Sequence, residues 1–175
     1  MTVIRKWIAF GVCVASGMAT WHVGAQADLS ALESAYIFNF TEFTQWPDGH
    51  ARSGQLDVCA SARSPLRDGL MALNGRTVGA LVWHFRALTD KSAQGDCSVL
   101  VLNGRDDVNA DIREVIESDR PVLIVAEDGV GMAGTYVIRL VEDDDHLRFD
   151  INNTEAARRH LALSSKLLRL ARRVM

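Results

Sequence analysis

Gly129, Gly131 and Gly134 stand as G-x-G-x-x-G directly after the apolar run PVLIVAE, the spacing of a dinucleotide-binding turn. That chemistry requires a helix to open at the glycines, because its N-terminal N–H groups and dipole hold the pyrophosphate. The chain continues beyond Gly134 as TYVIRLVEDDDHLRFDIN: a β-branched, apolar run from Thr135 to Val141, a polar turn at Asp143 to Asp145, and a second run from Leu147 to Ile151. This is the pattern of a β-hairpin. The glycines therefore punctuate a loop between strands, and no cofactor is expected there. The acidic tip VEDDDH lacks the central glycine and distant glutamate of an EF-hand loop and reads as a solvated turn.

The remaining reactive residue types form no catalytic pattern. G-x-S-x-G, H-E-x-x-H, a Walker loop and C-x-x-C are all absent, and with them the chemistry each supports. Ser164 and Ser165 beside Lys166 could supply a Ser–Lys nucleophile, but they fall in an expected helix with no evident partner. The carboxylates are scattered. His50, His84, His146 and His160 show no ligand spacing with one another or with the cysteines. Cys59 and Cys97 alone fall short of the roughly four ligands of a structural zinc site. The expectation is a chain with no catalytic, cofactor or metal residues, and not an enzyme.

The N-terminus points to export. Arg5 and Lys6 precede a mostly apolar run from Trp7 to Met18, and Ala25-Gln26-Ala27 supplies a small-x-small cleavage pattern. The apolar run is shorter than the roughly 20 residues of a spanning helix. Lipid attachment at Cys13 fits poorly, with Val12 where a small residue is normally needed. Residues 1–27 thus read as a cleaved signal peptide and 28–175 as a single exported domain. Loss of Arg5 and Lys6 would move the formal charge from −3 to −5, which does not favour nucleic acid as a partner. In an exported chain Cys59 and Cys97 most simply form one disulfide, two reduced core thiols being the alternative.

The elements that must carry these residues are read from periodicity. LSALESAYIFNFTEFTQWP reads as a helix with Ser30 as cap, Glu33 as its capping-box partner and Pro47 as stop. LDVCAS is a strand, and Ser64-Pro65 opens a helix ending at Asn74-Gly75. TVGALVWHF, CSVLVLNG and PVLIVAE are further strands, the last two apolar enough to be covered on both faces. DVNADIREVIESD between them is an amphipathic helix through Val108, Ile112, Val115 and Ile116. After the hairpin, NNTEAARRHLALSSKLLRLARRV reads as one terminal helix capped by Asn152 with Glu155. Arg159, Lys166, Arg169 and Arg173 share one of its faces, either as a solvated basic face or as a docking stripe for an acidic partner or membrane surface. The order argues for an α/β fold: a Rossmann-like, mostly parallel sheet flanked by helices, with a C-terminal β-hairpin and terminal helix.

Four segments in register carry a family likeness. ALESAYIFNFTEFTQWP resembles the opening helix of the YfiR family of exported proteins, and RFDINNTEAARRHLALSSKLLRLARRV is similar to its closing stretch. VCAS and CSVLVLN resemble its two cysteine-bearing strands. The resemblance implies a dimeric, non-catalytic periplasmic repressor without cofactors. Its partner would be the periplasmic sensor domain of an inner-membrane diguanylate cyclase, and an outer-membrane, peptidoglycan-binding lipoprotein would withdraw it. Cys59 and Cys97 match the family's common cysteine pair, implying redox sensitivity; a second disulfide found in some members cannot form here. The contact surfaces expected from charge and position are Arg159, Lys166, Arg169 and Arg173, with the exposed side of the first helix. The alternative is a periplasmic small-ligand sensor acting on a different membrane sensor or receptor, with a pocket at the carboxyl ends of the parallel strands.

Overall fold

A computed structural model describes residues 22–50, 54–88, 97–104, 108–130, 134–144 and 146–175, with side chains from residue 29. Most of the expected signal peptide, Cys13 included, and Gly131 lie outside the described residues. Helix α1 (His22–Glu42) leads through β1 (Thr44–Gln45), β2 (Gln55–Ser61), α2 (Arg67–Met71), β3 (Thr77–Val78) and β4 (Leu81–Leu88) to β5 (Val99–Leu102). Next come α3 (Ala110–Glu117), β6 (Leu123–Glu127), β7 (Ile138–Asp143) and β8 (His146–Ile151). The chain ends with α4 (Asn153–Arg158), β9 (Ala162–Leu163), α5 (Ser165–Leu170) and β10 (Arg173–Val174).

The apolar runs expected to be covered on both faces lie at the centre of an eight-stranded sheet of order β10-β8-β7-β6-β5-β2-β4-β3. β4, β2, β5, β6 and β7 are mutually parallel. Alternation along β5 assigns the two faces. Val99 and Val101 join Ile37, Phe40, Leu66 and Leu70 of the α1 and α2 layer, while Leu100 and Leu102 join Ile112, Val115 and Ile116 of α3. β7 and β8 form the expected antiparallel hairpin, paired from Ile138↔Ile151 to Asp143↔His146. Gly129 and Gly134 both sit at φ 89°, a left-handed conformation that glycine adopts freely. They are turn residues that lead into β7 rather than into a helix.

Three expected elements differ from those observed. α1 already runs before Ser30, so Ser30 is a mid-helix residue whose carbonyl accepts the Ser34 hydroxyl (2.8 Å). The helix stops at Glu42, short of Pro47, because Thr44 and Gln45 pair antiparallel with Leu163 and Ala162. Its buried side is Glu33, Ser34, Ile37, Phe40 and Thr41, and Ala31, Leu32, Ala35 and Asn39 face outward. Gly69 of α2 packs so closely against it that a Cβ there would meet the Ser34 hydroxyl, with the Ser34 Cβ at 3.0 Å. The expected strand TVGALVWHF is two strands, β3 and β4, folded back at Gly79-Ala80 with Gly79 at φ 58°. The helix expected from Ser64 is confined to α2 plus flanking turns.

The largest difference is at the C-terminus, where the single helix expected over 152–174 is broken into α4, β9, α5 and β10. Asn152 does cap α4, accepting from Glu155 N–H (3.0 Å). The break comes at His160, which adopts φ 57°. Its N–H donates to Ala157 (3.0 Å), and Leu161 N–H donates to Ala156 (2.9 Å). These two bonds make a Schellman terminus, normally built on glycine, and Ala156 and Leu161 are buried together in the core beside it. Relief of left-handed strain is worth about 1–2 kcal/mol, against about 0.5–1 kcal/mol for the added freedom of an unfolded glycine. His160→Gly is therefore expected to raise stability by about 0.5–1 kcal/mol in chemical denaturation, whereas a continuous helix through 160 would make the same change destabilising.

Candidate functional site

The residues expected to share a basic stripe separate into two environments. Arg159 is fully buried, which overturns its assignment to a contact surface. Its Nε donates to Glu155 (2.7 Å), Nη1 to the Val115 and Arg120 carbonyls (3.3 Å each) and Nη2 to Ile116 (2.5 Å). Those oxygens lie at and just beyond the C-terminal end of α3, where carbonyls lack helical partners and the dipole favours a cation. Burial pushes the Arg159 pKa down despite the Glu155 pair. For Glu155, burial acts to raise the carboxyl, but hydrogen bonds from Arg158 and Arg159 outweigh it and hold it below its usual range. Removing one member of such a pair leaves an uncompensated buried charge, at a cost of about 3–5 kcal/mol. Lys166, Arg169 and Arg173 remain exposed, beside the exposed apolar side chains of Leu170, Val174 and Met175.

A second buried charge anchors the last residues. Asp150, fully buried, accepts from Arg139 (2.9 Å) and from two nitrogens of Arg172 (2.9 and 2.8 Å). The hydrogen bond from Arg172 is the main reason its carboxyl is held low. β10 is thereby fixed parallel to β8 at the sheet edge.

At the carboxyl ends of β6 and β7 lies a cleft of ≈ 240 Å³, roofed by Leu29, Ser30 and Glu33 of α1. It is one strand removed from the β2/β5 switch point, where Ser64 donates to Asn103 (2.5 Å) and Asn103 to Glu127 (2.7 Å). Its walls are Pro65, Leu140, Val141 and Leu147, and Glu127, Asp128 and Glu142 complete the lining. Tyr36 donates to the Leu147 carbonyl (3.4 Å) and ties α1 to the hairpin. Glu33 is 8 % exposed. Burial, with Glu127 and Glu142 nearby, pushes its carboxyl from 4.5 up to about 7. The capping role expected for Glu33 does not apply, because α1 begins before Ser30 and carries Glu33 over the strand ends instead. Among the described residues no group of three or more His, Cys, Asp or Glu side chains is arranged to hold a metal ion.

Cys59 of β2 and Cys97, just before β5, form a disulfide with Cα atoms 5.8 Å apart. Both are buried in the core beneath α3. The bond closes a sequence separation of 38 residues, for which chain entropy gives about 4 kcal/mol as an upper figure.

Two outcomes are expected. The double substitution Cys59→Ala, Cys97→Ala should lower unfolding free energy by about 2–4 kcal/mol, read by urea denaturation. Glu33 binds its proton more tightly when folded, so its contribution to stability is complete below pH 4.5 and is lost as pH rises through about 7. Glu33→Gln should therefore flatten the fall in stability between about pH 5 and pH 8, and exceed the native protein at pH 8 by about 1–3 kcal/mol.

Comparison with curated proteins finds no match. A family model described as YfiR/HmsC-like matches residues 30–172, from the roof of the cleft through the disulfide and the buried arginine to the Arg172 anchor. By that match, the chain belongs to the YfiR/HmsC-like family.

Proposed function

We propose that the protein is a non-catalytic periplasmic signalling regulator that binds the periplasmic sensor domain of an inner-membrane diguanylate cyclase and represses it, lowering cyclic-di-GMP. The observation that carries this reading is family membership across nearly the whole domain. Among the described residues, no helix is long and apolar enough to cross a membrane, in keeping with a regulator that acts from outside the bilayer. The contact surface we assign is the C-terminal patch of Lys166, Arg169 and Arg173 around Leu170, which is 68 % exposed. An apolar centre rimmed by charge is the usual anatomy of a protein interface. Repression is a population shift: a partner that prefers the inactive cyclase lowers its output by that difference in affinity. The regulator acts as a homodimer, and an outer-membrane, peptidoglycan-binding lipoprotein withdraws it. The buried disulfide enters this scheme through stability, its reduction weakening the folded repressor.

A second reading, a ligand-responsive protein acting on a different membrane sensor or receptor, is favoured by the cleft beneath α1.

Deleting the protein should raise cellular cyclic-di-GMP, and an exported copy should restore it, whereas a copy lacking residues 1–27 should not. An exported copy carrying Leu170→Glu and Arg169→Glu should accumulate normally yet lose most of the restoring effect. Unchanged cyclic-di-GMP on deletion, under conditions where the protein is expressed, would count against the cyclase as its target.

A further inference from the structure

We propose that the cleft between α1 and the β7–β8 hairpin is a binding site for a short aliphatic amine, whose ammonium group is held by Glu33. Glu33 as a residue is nine-tenths buried and lines the cleft, onto which its carboxylate oxygens open, and no hydrogen bond or ion pair to it exists among the described residues. A carboxylate in that position is costly without a partner. Elsewhere in this molecule the buried acids are satisfied: Asp150 by Arg139 and Arg172, Glu155 by Arg158 and Arg159. Among the buried acids of the described residues Glu33 is the exception, and it is the one that borders open space.

The lining selects the ligand's chemistry. Glu33 of α1, Glu127 and Asp128 at the end of β6, and Glu142 of β7 all contribute carboxylates, and among the described residues no basic side chain lines the cleft. The nearest cation, Arg139, sits 3.6 Å from Asp128 but is engaged by Asp150. Glu127 accepts from Asn103, which leaves Glu33 and Glu142 as the acids turned to a ligand from facing elements. An anion is excluded by this field. A neutral ligand would leave Glu33 charged and poorly compensated, whereas an ammonium brings three donors and the opposite charge. The apolar lining is aliphatic, supplied by Leu29, Pro65, Leu140 and Leu147, with no aromatic side chain. That argues against the aromatic cage that receives quaternary ammonium groups. At ≈ 240 Å³ the space lies below the roughly 300–1,000 Å³ of sites for drug-sized molecules, so the carbon chain must be short. Glu142 is exposed at the rim, where it can receive a second ammonium, and a diamine should bind more tightly than a monoamine.

The test is calorimetric titration of the purified exported protein with 1,4-diaminobutane, n-butylamine, 1-butanol and butanoate. At pH 8 both amines should bind, the diamine more tightly, and the alcohol and the acid should not. Glu33→Gln should weaken both amines at least tenfold. Glu142→Gln, at the open rim where folding is not at stake, should abolish the diamine's advantage over the monoamine. Moving to pH 5.5 should weaken binding as Glu33 takes up a proton, Glu142 being the other acid turned to the ligand and Glu127 and Asp128, engaged by Asn103 and Arg139, the remaining acids of the lining. Failure of both amines to bind at millimolar concentration, binding of 1-butanol equal to that of n-butylamine, or affinity untouched by both substitutions would overturn the assignment. Because the measurement uses the isolated protein, such a failure would leave the cyclase reading where it stands.

Discussion

The central strands are apolar on both faces, and the rest of the structure answers that constraint. β5 is buried at all four positions and β6 at its first four. A parallel sheet of this kind persists only if both sides are kept from water. α1 and α2 cover one side and α3 the other, with a distinct apolar cluster on each. The disulfide lies in the α3-side core, joining β2 to the entry of β5 at the place where the strand order reverses. Its burial makes it first an element of the fold, and redox sensitivity would be felt through stability.

The last two dozen residues tie the two sides of the sheet together. Arg159 reaches the C-terminal end of α3 on one side of the sheet, while Leu167 packs into the cluster beneath α1 on the other. One uninterrupted helix could not do both, because its side chains radiate from a single axis. The Schellman turn at His160 solves this by redirecting the chain, and the β1–β9 pairing then holds the new direction. Two buried acids fix the result, each bound by two arginines. With Arg159 buried and Arg172 engaged by Asp150, Lys166, Arg169 and Arg173 are the exposed cations of the terminal segment outside the described ion pairs, beside exposed apolar side chains.

On the proposed reading, that division separates the surface for a partner from the place for a ligand. The proposed partner surface is the terminal patch. The cleft under α1, at the strand ends, offers a place where a small molecule could alter how α1 sits against the hairpin. The two features lie on different parts of the fold but share the hairpin: β8 carries Asp150 and Phe149 into the terminal anchor and the core, and its Leu147 lines the cleft. A ligand in the cleft and a partner on the patch would therefore act on one rigid element, and coupling between them would be reciprocal.

The α/β class, the parallel order of the central strands, the hairpin after the glycines, α3 with its apolar face and the Asn152 cap were all legible in the sequence. Each is local: periodicity, turn residues and caps act within a few residues and hardly depend on distant contacts. The same locality explains why G-x-G-x-x-G could be dismissed, since the residues after Gly134 alone exclude a helix there. What sequence could not supply was decided by contacts between distant residues. His160 carries no helix-stop signal of the usual glycine kind, so the terminal segment reads as continuous until α3, β1 and the core require it to bend. Arg159 and Arg173 look equivalent on a helical wheel, yet one meets the orphan carbonyls of α3 and the other meets water. Glu33 looks like half of a capping box, and only the position of α1 over β6 and β7 makes it a buried acid with no partner among the described residues. Local pattern settled which elements form; the burial of both sheet faces settled which charged side chains would be enclosed and which left exposed.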